Sequence, residues 1–464
     1  MAVTRRRAAA LAVLAALASA PLWAALGPRY GGDLTIALAT LPALGEPTGA
    51  PGLSERTVAA LVHETLVHLQ PDGTPSPGLA RTWSAAADGR EWTLTLAPEA
   101  RFHDGTPLGS ADVVRSLRRF LRGPSAAAER LAATLAGGTA FRNASSAELP
   151  GLAAPDATHV VLRLHSAVPV PLAPLAAPSA AITSASGKGA GPFVPGSRSP
   201  RRLELTPFAA HVRGRPYLDR VSLVAVGDQD AAQAELDAGR AHVVLGGEVE
   251  AGPLGVLLLV LDPGRAPLTR AEARQAVVAS IDARALVDHL VPGGEAHTAL
   301  IPPALLTPLQ PGVAPARISL TGTLDVAVSR DVPPAVSQRV LACLADVGLQ
   351  ARVLPAEPGL ALRTPAGARL LWWSPEVAEA GLALRELAGL APGADRTALD
   401  AADRERDPDR RRALLHRADA ALRASWTLAP LAAVPLPFRA RASVHGLRAD
   451  SGGALVIEDA WREP

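Results

Sequence analysis

Residues 61–122 read LVHETLVHLQPDGTPSPGLARTWSAAADGREWTLTLAPEARFHDGTPLGSADVVRSLRRFLR, and they carry the densest local signals in the chain. A helix end runs into a short strand at Leu66–Leu69, and Pro71-Asp72-Gly73 has the chemistry of a tight turn. A second turn at Asp88-Gly89 leads into Trp92-Thr93-Leu94-Thr95-Leu96, whose period of two predicts a half-buried strand. Phe102-His103-Asp104-Gly105-Thr106-Pro107 is a compact polar loop. Ser110 is placed to cap the helix that follows, and Asp112 falls in its first turn, where a carboxylate complements the dipole. Val113, Val114, Leu117, Phe120 and Leu121 recur at helical spacing and predict one apolar face.

The order of these words resembles one family: the extracytoplasmic solute-binding proteins of ABC importers, in the oligopeptide/dipeptide/nickel class. The matching words are Glu64-Thr65-Leu66-Val67, Pro71-Asp72-Gly73, Pro77-Gly78-Leu79-Ala80, Trp83, Asp88-Gly89, Phe102-His103-Asp104-Gly105 and Ala111-Asp112-Val113. Each is weak alone, but their order and gaps together are specific. Further words extend the likeness. They are Gly31-Gly32 before a first strand, Gly187-Lys188-Gly189-Ala190-Gly191-Pro192-Phe193, Gly214-Arg215-Pro216-Tyr217-Leu218-Asp219-Arg220-Val221, and the spaced set Arg274, Ala276, Ile281-Asp282, Leu286. The resemblance thins over 304–400, where the chain also reads as shortened.

Composition sets the outer limits. A chain of 464 residues with 48% apolar content has room for two or three domains and a sizeable core. The formal charge is +2, and without Arg5, Arg6 and Arg7 the balance would be 43 basic to 44 acidic residues. That argues against a nucleic-acid binder, which would present a basic face. The one cysteine, Cys343, excludes an internal disulfide and a thiolate cluster; it falls on the apolar side of a predicted helix with Val336, Val340, Leu344 and Val347. The 11 histidines include no HxH, HExxH or HxxxH pair, so neither a metal site nor a cofactor is expected. Ser184 and Lys188 are not at dyad spacing and no GxSxG occurs, so no catalytic residue is assigned.

Met1–Ala25 has the layout of a secretory leader: Arg5-Arg6-Arg7, then an apolar run from Ala8 to Ala20. Cleavage after Ala24 or after Ala20 both fit, and no cysteine stands there to carry a lipid. The expected location is therefore the periplasm, as a free protein and not a lipoprotein.

Downstream, Asp33–Leu38 alternates as a strand, and the Thr40–Leu53 stretch after it is a Pro/Gly-rich loop. Pro124–Leu152 is Ala/Gly/Ser-rich and reads as a helix tail and a loop. Pro192 forbids a helix after the glycine-rich turn, which argues against phosphate binding there. Asp228 caps a helix that Gly239 ends; His242, where relatives carry an acid, reads as drift and not as a ligand contact. Thr269-Arg270-Ala271-Glu272 has the form of a capping box, and Asp282 caps the next helix. Leu324–Val328, a helix over Pro334–Val347 and Leu349–Leu354 form a β-α-β unit, and Asp407-Pro408 opens a late helix.

The resemblance implies an α/β, two-lobed periplasmic binding protein of type II, in the large peptide-binding subclass, with hinge strands crossing between lobes. The implied divisions are a leader over 1–24, an N-terminal lobe from 29–50, 178–252 and 432–464, an extra subdomain over 51–177, and a C-terminal lobe over 253–431. The implied function is capture of a peptide or similar small solute and delivery to ABC permease subunits in the inner membrane, by a monomer, without catalysis. The alternative is a protein of the same fold that senses or interacts without transporting. In peptide-binding relatives an acid just after a Trp-containing strand meets the ligand's amino end. Here Arg369-Leu370-Leu371-Trp372-Trp373 is followed by Ser374-Pro375-Glu376, lacking the family's Asp-Pro pair. The implied ligand contacts are Trp372, Trp373, Ser374 and Glu376, with Thr40 and Leu41 from the loop after the first strand. Trp372 and Trp373 must face opposite ways, one toward a core and one free to wall a cleft.

Overall fold

The structure is a computed structural model that describes residues 27–38, 40–45, 53–70, 73–245, 254–291, 293–306, 318–435, 438–450 and 453–463. The expected leader, and Pro71 and Asp72 of the first turn, lie outside them.

Three sheets organise the chain. The first has six strands in the order Phe438–Ala440, Val243–Leu245, Asp33–Leu38, Arg220–Ala225, Arg202–Pro207, Phe193–Ser199. Its central strand, Asp33–Leu38, runs parallel to both neighbours. The second sheet also has six, ordered Glu295–Ala296, Leu428–Pro435, Leu254–Leu261, Ala368–Trp373, Gly322–Ser329, Leu349–Ala356. The third is antiparallel: Ala80–Ala85, Glu91–Leu96, His159–Arg163, Leu152–Ala153.

The chain passes between the first two sheets twice, from Val243–Leu245 to Leu254–Leu261 and back from Leu428–Pro435 to Phe438–Ala440. The outgoing and returning strands pair with each other in both sheets, always antiparallel. Two lobes joined by adjacent crossing strands follow from this pairing. The apolar run Gly255–Leu261, seven residues long and too short to cross a bilayer, reads in sequence as a buried strand; it falls within the strand Leu254–Leu261, and Val256 to Leu261 are all nearly inaccessible. Its alternate side chains feed different cores: Leu257, Leu259 and Leu261 pack with the helices Ala271–Ser280 and Pro334–Asp346, while Val256, Leu258 and Val260 pack with Ala380–Ala388 and Pro408–Ala424.

Local chemistry explains most boundaries. Asp228, Asp282 and Asp407 each accept a backbone N–H from the first turn of the helix they precede, at 2.8, 3.0 and 2.8 Å. Gly239, with φ +76, ends the helix that Asp228 starts. Cys343 is buried among Val336, Val340 and Leu344, and burial pushes its thiol pKa up.

Three expectations need correction. Ser110 is not the cap: Gly109 takes that place, the Asp112 carboxylate accepts the Gly109 N–H at 3.0 Å, and the Ser110 hydroxyl turns to the Asp156 carbonyl. Arg270, not Thr269, stands at the start of Ala271–Ser280, with no side-chain cap. Its entry carbonyls, Leu268 and Thr269, are taken instead by the buried Arg274 guanidinium at 2.9 and 3.2 Å. Pro124–Leu152 is not a helix tail and loop: Ser125 caps a helix over Ala126–Thr134, and Gly138–Arg142 forms another. Alanines make that apolar face, so it shows little contrast in sequence.

Candidate functional site

The two lobes meet along the N-terminal half of the helix Leu53–Val62. Its Val58, Leu61 and Val62 pack into the core of the first sheet. Its Glu55 and Arg56 face the other lobe. Arg56 is 2% exposed, and its guanidinium donates to the carbonyls of Ser374 at 2.8 Å and Pro375 at 3.1 Å and to the Ser374 hydroxyl. Burial lowers the Arg56 pKa, against the pull of Asp450, Glu386, Glu376 and Glu55 around it.

Glu376 stands one residue further on, and it is held from the opposite side. Ser125 Oγ donates to its Oε2 at 2.6 Å; Ser179 donates to Oε1 through both its hydroxyl and, at 3.3 Å, its backbone N–H. Ser125 does double duty, because its oxygen also caps Ala126–Thr134. Val377 and Leu382 continue the contact by joining the apolar core that is otherwise built from residues 66–190. Further along, Arg130 and Arg385 share Asp403, with Arg130 Nε at 3.3 Å.

The two tryptophans face opposite ways. Trp373 is buried in the C-terminal core and its indole N–H donates to Glu386 Oε1 at 3.1 Å. Trp372 is half-buried over the other core, its N–H donating to the Asp331 carbonyl at 2.9 Å. Glu386 Oε2 accepts the Glu376 backbone N–H at 3.1 Å. Burial drives the Glu386 pKa up to about 7 and that of Asp331 to about 6. Both are hemmed in by protein yet keep part of their surface accessible.

The structure thus brings Trp372, Trp373, Ser374 and Glu376 together at the lobe boundary. Thr40 and Leu41 stand at the end of Asp33–Leu38, with Leu41 against the core of the first sheet. Sequence reading missed Glu55, Arg56, Asp331 and Glu386. Only Arg56 had a visible signal, an arginine on a helix that otherwise buries Thr57, Val58, Leu61 and Val62.

The sequence words serve the framework. His103 ties the FHDG turn to the glycine-rich turn: its N–H donates to the Gly189 carbonyl at 2.9 Å, and Nε2 meets the Gly191 carbonyl at 3.0 Å. A Cβ on Gly189 or Gly191 would strike the Val62 carbonyl group, which is why glycine is needed there. His242 bonds both ways with Thr35 across the first sheet, its Nδ1 accepting the Thr35 N–H at 2.9 Å. A separate cavity of about 690 Å³ is walled by Tyr30, Glu64, His211, Arg213, Tyr217 and Glu458, with no lining residue between 254 and 435, so it is not the cleft between lobes. Its charges are spent on one another: the buried Glu64 meets His68, His211 and Arg213 at 2.7, 3.0 and 3.1 Å. No group of three His, Cys, Asp or Glu among the described residues is arranged to hold a metal ion.

The family model described as bacterial extracellular solute-binding proteins, family 5, middle region, matches residues 74–316, more than half of the chain. Among curated proteins, the probable D,D-dipeptide-binding periplasmic protein DdpA of Escherichia coli is 27% identical over 294 residues, 56% of this chain and 55% of its own. The E. coli periplasmic murein peptide-binding protein MppA is 36% identical over 115 residues, 25% of this chain and 20% of its own. The matches therefore span about half the length of such relatives or less. Solved structures agree over more of the chain. Haemophilus influenzae OppA, in complex with RPPGFSPFR, superposes with a TM-score of 0.80 at 16% identity, covering 94% of this chain and 99% of that one. E. coli MppA gives 0.81 at 18%, with the same coverage. At these identities the likeness establishes the fold: α/β and two-lobed.

Proposed function

The chain belongs to the bacterial extracellular solute-binding proteins of family 5, and on that premise we propose that it is the extracytoplasmic receptor of an ABC importer. It captures a peptide or similar small solute between its lobes and hands it to permease subunits in the inner membrane. The reading includes a periplasmic location, a monomer, and binding without bond cleavage. The observation that carries it is the lobe boundary itself: polar groups from both lobes meet across it beside two crossing strands, an arrangement that suits a clamp. Closure then needs no chemistry, only a guest with more affinity for the closed form than for the open one.

Trp372, Ser374 and Glu376 are proposed as cleft wall, with Trp373 supporting them from behind through Glu386. No helix among the described residues is long and apolar enough to cross a membrane. The test is a thermal-shift and native mass-spectrometry screen of the secreted protein against short peptides. A bound solute at one hundred times its Kd should stabilise by about 2.7 kcal/mol. A folded protein that neither gains mass nor shifts its midpoint with any peptide or related small solute would refute the reading.

A further inference from the structure

The cavity of about 690 Å³ beside the first sheet has no part in the clamp. Its wall comes from residues 30–217 and 448–459, so opening or closing of the lobes leaves it intact. Its volume is that of a pocket for a small organic molecule.

Two kinds of surface make the wall. One is aromatic. Tyr30 and Tyr217 are the only tyrosines in the chain, and both stand here with ring centroids 5.0 Å apart and planes at 44°. Backbone bonds hold the pair in place: the Gly31 N–H donates to the Tyr217 carbonyl at 2.8 Å, and the Asp219 N–H to the Gly32 carbonyl at 3.0 Å. Arg215 lies 5.1 Å from the centre of the Tyr30 ring and is pinned by Asp219 at 2.6 Å. Tyr30 is nevertheless 66% exposed, more than any other large apolar side chain among the described residues. A firmly held, open aromatic face is costly to leave in water and suits stacking against a flat apolar face of a guest.

The other surface is ionic and balanced within itself. Arg213 pairs with Glu64 and Glu458, Arg448 with Glu458 and Asp459 at 3.2 and 2.6 Å, and Arg215 with Asp219. Every arginine on the wall therefore has a carboxylate. A charged guest would have to break one of these pairs and strand a partner, and the buried Glu64 is the costliest to strand. A hydroxyl requires no such exchange. It donates and accepts at once, and a paired guanidinium or carboxylate keeps spare N–H groups or lone pairs for it. Gln70 and Ser76 add an amide and a hydroxyl to the same wall.

We propose that this cavity is a second binding site, apart from the cleft between lobes, for an uncharged, hydroxyl-rich ligand of short-saccharide size. One ring face lies on Tyr30, and the hydroxyls bridge Arg213, Arg448 and their carboxylates. A sugar ring offers both things the wall asks for, a flat C–H face and a rim of hydroxyls. The site goes beyond the receptor reading and does not rest on it.

The two tyrosines make the test selective. In the full secreted chain, labelling tyrosine rings with carbon-13 gives NMR signals from Tyr30 and Tyr217 alone, which report on this cavity. The probes are two neutral trisaccharides, maltotriose and tri-N-acetylchitotriose, with the trimers of galacturonic acid and of glucosamine as anionic and cationic counterparts. At least one neutral trimer should move both signals saturably and bind at least about tenfold more tightly than either charged one. By calorimetry, Tyr30→Ala should weaken that binding by about tenfold. Ala60 lines the cavity from the helix Leu53–Val62, and Ala60→Trp should fill it and abolish the shifts. Far-UV circular dichroism checks that both variants fold, and Tyr30→Ala decides alone if the filled variant does not. Three outcomes overturn the site: neither neutral trimer moves the tyrosine signals, a charged trimer binds as tightly as the neutral ones, or folded Tyr30→Ala binds as the wild type does.

Discussion

Glu386 and Glu64 are both acids enclosed by protein, and their surroundings push them in opposite directions. For Glu386, burial outweighs the indole and backbone N–H groups that favour its charge, and its pKa rises to about 7. Between the ordinary glutamate value and pH 7 the folded chain therefore keeps a proton that the unfolded chain has lost. Stability should fall as pH rises through that window, by an amount on the order of 3 kcal/mol at most. Melting Glu386→Gln and the wild type from pH 4.5 to 7.5 should show a flatter profile for the variant; parallel profiles would exclude a buried proton at this position. For Glu64, burial alone would raise the pKa, but His68, Arg213 and His211 hold it well below the usual range. Its contribution is present above the unfolded value and fades as pH falls through the lowered folded one. Glu64→Gln leaves those donors facing a neutral amide, and should cost roughly 3–5 kcal/mol at pH 7 by chemical denaturation. Neither carboxyl announces its environment in sequence. Glu64 is legible as part of the ETLV word and His68 stands one turn on, but its other partners, His211 and Arg213, come from far along the chain, His211 from 147 residues away.

At the scale of elements, legibility followed the contrast between apolar and polar side chains. Trp92–Leu96, Gly255–Leu261 and the helices opened by Asp228, Asp282 and Asp407 all match their patterns within a residue or two. The helices Ala126–Thr134 and Gly138–Arg142 were missed because alanine contributes little contrast and because Ser125, their best signal, reads equally well as loop. The lobe boundary was half legible. A short word near a Trp strand points to Trp372–Glu376, but nothing local reports that Arg56 lies 318 residues away in sequence and against Ser374 in space. Element packing gives a sharp expectation for the crossing strand. Leu257 and Leu258 are fully buried in different cores. Either change to alanine leaves a cavity in one core only, and each should destabilise by about 2–5 kcal/mol. Because the cores share the strand Leu254–Leu261, equilibrium urea unfolding monitored by Trp fluorescence should give a single transition in both variants. Two separated transitions would show that the cores on the two faces of this sheet unfold independently.

For the molecule as a whole, the chain's own bonds are part of what holds the lobes together. Arg56 spans the boundary to Ser374 and Pro375, Glu376 spans it in return to Ser125 and Ser179, and Val377 and Leu382 sit in the opposite core. A hydrogen bond to a charged group contributes about 1.5–3 kcal/mol, so each crossing side chain shifts the ratio of closed to open forms by roughly tenfold or more. A guest has to supply correspondingly less differential affinity to close the clamp. Replacing Arg56 by methionine keeps much of the stem's packing and deletes the crossing bonds; replacing Glu376 by glutamine keeps the shape and weakens the serine contacts. The double change should therefore favour the open form before it unfolds either lobe. Small-angle scattering of the ligand-free proteins should show a larger radius of gyration for Arg56→Met/Glu376→Gln than for the wild type, with far-UV circular dichroism unchanged. Saturating solute should bring the variant back to the wild-type radius, at a weaker apparent affinity, because the guest must now supply the closing energy that the crossing bonds gave. Identical radii for the two ligand-free proteins would mean that the bonds across the boundary form only after the guest has drawn the lobes together, and that the guest alone sets the closure equilibrium.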